Sequence, residues 1–165
     1  MQQNDKEILI QRGESVLPNA KLIPQVISLL DEGHTVTLRL GGNSMRPFLE
    51  DGRDTGLLKK AERVKWGDVV LAEVSKTRYV LHRIIRIEGN SVTLRGDGNI
   101  GVEHCTLNDV KAVALGFYRK GSKHLDSTSG AKWRIYSFLW CSLFPIRRYL
   151  LAFYRRIWIP LFGAV

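Results

Sequence analysis

Cysteine is scarce in this chain. There are two in 165 residues, Cys105 and Cys141, with no Cys-x-x-Cys pair and no cluster of histidine and cysteine. That scarcity argues against a disulfide scaffold and against a structural zinc site, so neither metal nor other cofactor is expected. It also agrees with a reducing compartment. Long apolar runs are missing as well. The longest candidate in the C-terminal part, residues 135–146, lies between Arg134 and Arg147, and is short of the roughly 18–20 residues that cross a bilayer. The first residues, Met-Gln-Gln-Asn-Asp-Lys-Glu, offer no apolar stretch of the secretory kind, so no signal peptide is expected. No internal repeat is visible. Finally, residues 131–165 contain no acid: Lys132, Arg134, Arg147, Arg148, Arg155 and Arg156 supply six of the nine net positive charges. The basicity is concentrated there, which points to an anionic partner for this segment.

What remains is ordinary globular material. A chain of this length suits one domain with one real core, and 44% hydrophobic with 25% charged residues sets wholesale disorder aside. Residues 20–32 place Leu22, Ile23, Val26, Ile27, Leu29 and Leu30 at helical spacing, with Gly33 as the stop and Pro24 near the first turn. From His34 the period changes to two. Strand-like runs fall at 35–40, 55–58, 68–74, 79–87, 91–95 and 110–118, separated by turn signals such as Glu50-Asp51-Gly52 and Gly96-Asp97-Gly98-Asn99. Short strands with such turns predict a mainly β fold: a coiled antiparallel sheet or partly open barrel, with a short N-terminal helix and a helical C-terminal tail. The expected divisions are a helical segment at 1–33, a β-domain at 34–120, a polar linker at 121–130 and a basic aromatic tail at 131–165.

Two short motifs carry chemistry. Gly41-Gly42-Asn43-Ser44-Met45-Arg46-Pro47 sets a serine in a glycine-rich turn, and Val80-Leu81-His82-Arg83-Ile84 sets a histidine in a strand. A serine hydroxyl is a weak nucleophile until a base takes its proton and donors hold the oxyanion. Glycines at 41 and 42 permit close approach to a substrate, and Pro47 restricts the turn. Taken alone, Ser44 could be an incidental turn serine, and His82 a hydrogen-bonded core histidine.

The order of motifs is more specific. Gly42-x-Ser44-Met45-x-Pro47, Gly67-Asp68, His82-Arg83 and Gly96-Asp97-x-Asn99 follow one another over about residues 38–118. This order resembles the type I signal peptidases and, more distantly, the LexA-like self-cleaving repressors. The resemblance implies a serine endopeptidase with Ser44 as nucleophile. At the base position most bacterial signal peptidases and LexA-like domains have lysine. Archaeal and endoplasmic-reticulum signal peptidases have histidine, as here. Imidazole titrates near neutrality without the desolvation a lysine needs, and it gains from an acid that fixes its tautomer. Asp97 matches the family's Gly-Asp-x-Asn element, which favours it as that acid, although a turn-building role also suits it. Glu103 is the alternative, standing where histidine-type relatives usually have a second aspartate. His34 and His104 are rival imidazoles outside any matching motif. Gly42, Asn43, Met45 and Pro47 would position the substrate and oxyanion, and the Ser44 amide would be the main oxyanion donor, since position 42 has no hydroxyl.

Ten of the chain's 15 aromatic side chains lie in residues 131–165 among the arginines, and Arg148 and Arg155, seven apart, share nearly one helical face. Pro145 and Pro160 divide the segment into short helices. This composition suits helices lying in a membrane interface, with aromatics at headgroup depth and arginines on phosphates. Packing onto the β-domain is a second reading, and nucleic-acid binding a weaker third. The expected partners are therefore a precursor peptide or protein and lipid headgroups, with the protein membrane-associated but not spanning. Against a LexA-like regulator, residues 1–33 leave no room for a helix-turn-helix domain and contain no Ala-Gly bond. A non-catalytic binding module would have no need of serine, histidine and acids together.

Overall fold

Alternation of buried and exposed side chains writes the sheet. Residues 91–95 bury Val92 and Leu94 between less buried neighbours, and residues 110–118 bury Val110, Ala112 and Ala114 in the same rhythm. The computed structural model describes residues 7–10 and 19–164. Among the described residues nine strands form one sheet: β1 (Glu7–Ile10), β2 (Thr35–Arg39), β3 (Thr55–Lys60), β4 (Val69–Ser75), β5 (Arg78–Glu88), β6 (Ser91–Arg95), β7 (Glu103–Thr106), β8 (Val110–Tyr118) and β9 (Leu125–Ser127). Their order is β1-β2-β3-β8-β4-β5-β6-β7, with β9 added to β8. The β1–β2 pair is parallel and the others are antiparallel. Register shifts at Leu57/Leu58, Leu71/Ala72 and Ile84/Arg86 bend the strands. The sheet curls into an open half-barrel, as the strand pattern predicts.

Helix α1 (Asn19–Asp31) lays Leu22, Ile23, Val26 and Leu30 against Val36, Leu58, Val69, Leu71 and Phe117, forming the main core. It stops at Gly33, whose φ of +90° suits glycine. Gly33 N–H donates to Leu30 O and His34 N–H to Leu29 O, both at 3.1 Å, which caps the last turn. A second cluster, around Val70, Ile84, Val92, Leu94 and Val110, fills the region between β4, β5, β6 and β8.

The C-terminal segment is part of this body. Helix α2 (Ala131–Ser142) buries Trp133, Ser137 and Trp140, a spacing of four and three that makes one face. Trp133 stacks on Phe117 with ring centroids 5.1 Å apart. Helix α3 (Phe144–Phe153) buries Arg147 and Leu151, a π turn follows at Tyr154–Trp158, and α4 (Ile159–Phe162) ends the chain's helical part. Pro145 sits in the first turn of α3, where a missing N–H costs nothing, and Pro160 lies where the π turn runs on into α4. Residues 121–130, expected as a linker, are instead tied down. β9 pairs with β8, and the Thr128 hydroxyl donates to Ala114 O at 2.8 Å. Strands β1, β7 and β9 are too short or too irregular in composition to stand out by alternation.

Candidate active site

The loop between β2 and β3 carries Ser44, and it is held by acids that sequence reading passed over. Gly42, at φ +88°, donates its N–H to Asp51 Oδ1 at 2.8 Å. Gly52 N–H reaches Leu40 O, and Leu40 N–H reaches Asp54 O, both at 2.9 Å. Asp54 is fully buried; its carboxylate accepts from the amides of Glu50 and Lys120 and from the Arg53 guanidinium. Burial pushes this carboxyl up, but Arg53 and the two amides outweigh it and hold it below the ordinary carboxylate range. Met45 and Leu49 anchor the loop in the core. Asn43 stays exposed and Pro47 half-buried, and the Arg46–Pro47 peptide is cis.

Ser44 and His82 line one cleft of about 150 Å³, walled by apolar side chains of α1, β2 and β5 with Met45, Leu49 and Leu71. Among the described residues, neither the hydroxyl nor the amide N–H of Ser44 makes a hydrogen bond. His82 sits in β5 opposite Val70 and is almost wholly buried. Its Nδ1 lies 2.6 Å from Glu103 Oε2, a close ion-pair contact bent away from hydrogen-bond geometry. Burial lowers the imidazole pKa, and the neighbouring Glu103 charge opposes that without cancelling it. His82 is therefore neutral at neutral pH, as a general base must be.

The Gly96–Asn99 turn seats Ser44 from behind. Gly98 N–H donates to Ser44 O at 2.7 Å. A Cβ on Gly96 would collide with that same carbonyl oxygen and lie 3.0 Å from His82 Nε2, while one on Gly98 would lie 2.7 Å from Asn43 O. The two glycine-bearing loops thus meet backbone to backbone, and this contact sets the spacing of serine and histidine.

Asp97 faces another partner. Arg83, the residue after His82, leaves the opposite face of β5 and grips Asp97 with two bonds, Nε to Oδ1 at 2.9 Å and Nη2 to Oδ2 at 2.7 Å. Its remaining nitrogen, Nη1, donates to Gly67 O and to Ser137 Oγ. Burial disfavours the Arg83 charge, but Asp97 more than offsets it and raises the guanidinium pKa. Tyr136 O–H donates to Asp97 Oδ2 at 3.1 Å, and the Trp140 indole N–H to Asp97 O at 3.1 Å. Burial, reinforced by Asp97, lifts the Tyr136 phenol well above its usual pKa.

The model of the Peptidase S24-like family matches residues 8–112, a span that includes Ser44, His82, Asp97 and Glu103. This chain belongs to the Peptidase S24-like family. Among curated proteins no significant match is found. As an S24-like domain it falls in the superfamily of LexA-type and signal-peptidase domains, which places it with the serine peptidases in general terms.

Within this S24-like domain the structure separates the residues that the motifs grouped. Ser44, His82 and Glu103 share one neighbourhood; Asp97, favoured from its motif, is engaged by Arg83. Met45 serves the core and also lines the cleft, whereas the Gly42 amide is spent on Asp51. His104 is exposed beside Thr93, and His34 lies near Glu32. Among the described residues no three His, Cys, Asp or Glu side chains converge as a metal site would require. Sequence reading missed Arg83, Tyr136, Ser137 and Trp140. A detectable signal existed only for Arg83: a charge inside an apolar strand needs a buried partner. The tail, read chiefly as a membrane element, packs its inner face on the site. Among the described residues no helix is long and apolar enough to cross a membrane.

Proposed function

We propose that this chain is a serine endopeptidase that cuts precursor peptides at a membrane surface, with a histidine base. Ser44 Oγ attacks the scissile carbonyl carbon as His82 Nε2 takes the hydroxyl proton, and the Ser44 N–H supports the oxyanion. The proton passes to the leaving amine. Water then attacks the acyl-enzyme, again through His82, and the product acid leaves with Ser44 restored. Glu103, rather than Asp97, holds the imidazole. The observation that carries this reading is His82 set between Glu103 and the cleft that Ser44 lines. A cavity near 150 Å³ with apolar walls suits an aliphatic side chain next to the cut bond. Comparative N-terminal proteomics of cells carrying the parent protein, Ser44→Ala or His82→Ala tests it. New N-termini should vanish in both variants while the purified variants keep the parent melting temperature. A folded Ser44→Ala protein that still generates them ends the assignment.

The membrane setting rests on the outer face of the tail. Ile135, Phe138, Tyr149, Leu161 and Phe162 are each 60% exposed or more, more apolar surface than a solvated face keeps without a partner. One observation favours self-cleavage as a second reading. β1 runs parallel to β2 and ends with Ile10 opposite Leu38, a residue lining the cleft. Incubation of the purified protein at several concentrations would show concentration-independent loss of its own N-terminal segment if cleavage is intramolecular, and none in Ser44→Ala.

A further inference from the structure

A second cavity, about 630 Å³, opens between the loop that follows Asp97 and the helical tail. One wall is the Gly98–Glu103 segment. The other carries Arg148, Arg155 and Arg156, with Leu151 and Ala152 between them. Arg155 Nη2 donates to Gly98 O at 2.8 Å, so this side of the groove is fixed to the turn that seats Ser44. Among the described residues none of these three arginines forms an ion pair. Glu103 is the one acid on the lining, and its carboxylate is turned to His82 and Arg78. The groove is thus a cationic recess whose one acid is paired with Arg78 and His82 and with none of the three arginines. Apolar side chains stand exposed on the same helical elements, Tyr149, Phe153 and Trp158, and Phe162 follows on α4.

We propose that this groove binds the phosphate of an anionic membrane lipid, with Arg148 and Arg156 as its ligands and Arg155 linking it to the catalytic turn. Guanidinium groups match phosphate oxygens in paired geometry, and three gathered around one recess favour a phosphate over a single carboxylate. The apolar exposure beside them decides for a lipid over free phosphate, which would gain nothing from aromatic rings. The inference rests on the membrane-surface part of the proposed function and adds a headgroup class and a place. It also makes lipid binding adjoin catalysis, since the occupied wall is the Gly98–Glu103 segment.

The test is flotation of full-length Ser44→Ala protein, which removes any self-processing. Vesicles are phosphatidylcholine alone or phosphatidylcholine with phosphatidylglycerol. The parent should bind the anionic vesicles more tightly, and Arg148→Gln/Arg156→Gln should lose about 30-fold, from roughly fivefold for each basic residue at an anionic surface. A control with equal charge removed elsewhere, Lys59→Gln/Lys123→Gln, should lose much less. Equal binding by the Arg148/Arg156 double variant and the parent would overturn the site, as would an equal loss in the control. Competition by millimolar inorganic phosphate, or binding of a soluble poly-glutamate peptide that the double variant loses while vesicle binding persists, would assign the groove to those anions instead. If the membrane reading itself fails, the parent floats with neither vesicle; if only the groove fails, the parent floats with both alike.

Discussion

His82 and Arg83 are neighbours in one strand, and the pleat sends them to different acids. Glu103 meets the imidazole at 2.6 Å, while Asp97 is locked in a buried, two-bond pair with Arg83. The consequences of removing each acid therefore differ in kind. Asp97→Asn leaves the Arg83 charge buried without a counter-charge and should cost about 3–5 kcal/mol in urea unfolding. Glu103→Gln should melt near the parent temperature yet lower kcat by about 10²- to 10⁴-fold, as loss of an imidazole-orienting acid does. The pH profile separates them further. Activity requires neutral His82, so kcat/KM rises as pH increases through its pKa, and the rise falls at lower pH than for an ordinary imidazole, because burial lowers that pKa. In Glu103→Gln the charge that opposes the lowering is gone, so the acid limb should move to still lower pH. An acid limb that stays put, with full activity, would return the orienting role to Asp97.

At the scale of elements, strands β5 and β7 supply His82 and Glu103, and around them the β2–β3 loop and the Gly96–Asn99 turn meet. Helix α2 touches the loop, the turn and Arg83 of β5. Phe48 of the loop packs on Tyr136 at 3.9 Å between ring centroids, Trp140 donates to the turn, and Ser137 and Trp133 contact Arg83. Gly96→Ala tests the loop contact directly. Its methyl would meet the Ser44 carbonyl, so the loop must shift, at a cost of about 1–3 kcal/mol typical of overpacking. Activity should fall far more than stability, because a displacement of about 1 Å at a reacting serine can cost 10²-fold. Chemical denaturation and a peptide-cleavage assay on the same preparation would show it. Equal activity of variant and parent would mean that the turn does not set the serine. The glycines of this turn were legible in the sequence as turn formers; that they meet Asn43 and Ser44 was not, since nothing local couples residues more than fifty positions apart.

For the molecule as a whole, the outer surface of α2, α3 and α4 keeps large apolar side chains exposed, among them Ile135, Phe138, Tyr149, Leu161 and Phe162. Phe138→Asp with Leu161→Asp places charge on that surface at two well-exposed positions, so folding should be nearly unchanged. Binding to neutral vesicles should fall at least tenfold, given about 25 cal/mol for each Å² of apolar surface no longer buried. Undiminished sedimentation with vesicles would leave this face to a protein partner. Added salt should weaken attachment to anionic vesicles, since the chain carries +9 overall.

By itself the sequence determined the β class, α1 and its glycine stop, six of the strands, and the serine and histidine that share the cleft. Each of these is a local pattern: a period, a turn residue, a short motif. Only tertiary structure decided which acid stands beside His82, because Asp97 and Glu103 are six residues apart and the choice depends on what Arg83 captures across the sheet. It likewise made the tail part of the site. The tail's composition, basic and aromatic with no acid, announced a surface that seeks a partner. Whether the inner aromatics met lipid or protein depended on the curl of the sheet, which brings Phe117, Arg83 and Asp97 under α2 from three separate strands and turns. Such long-range complementarity leaves no periodic trace along the chain.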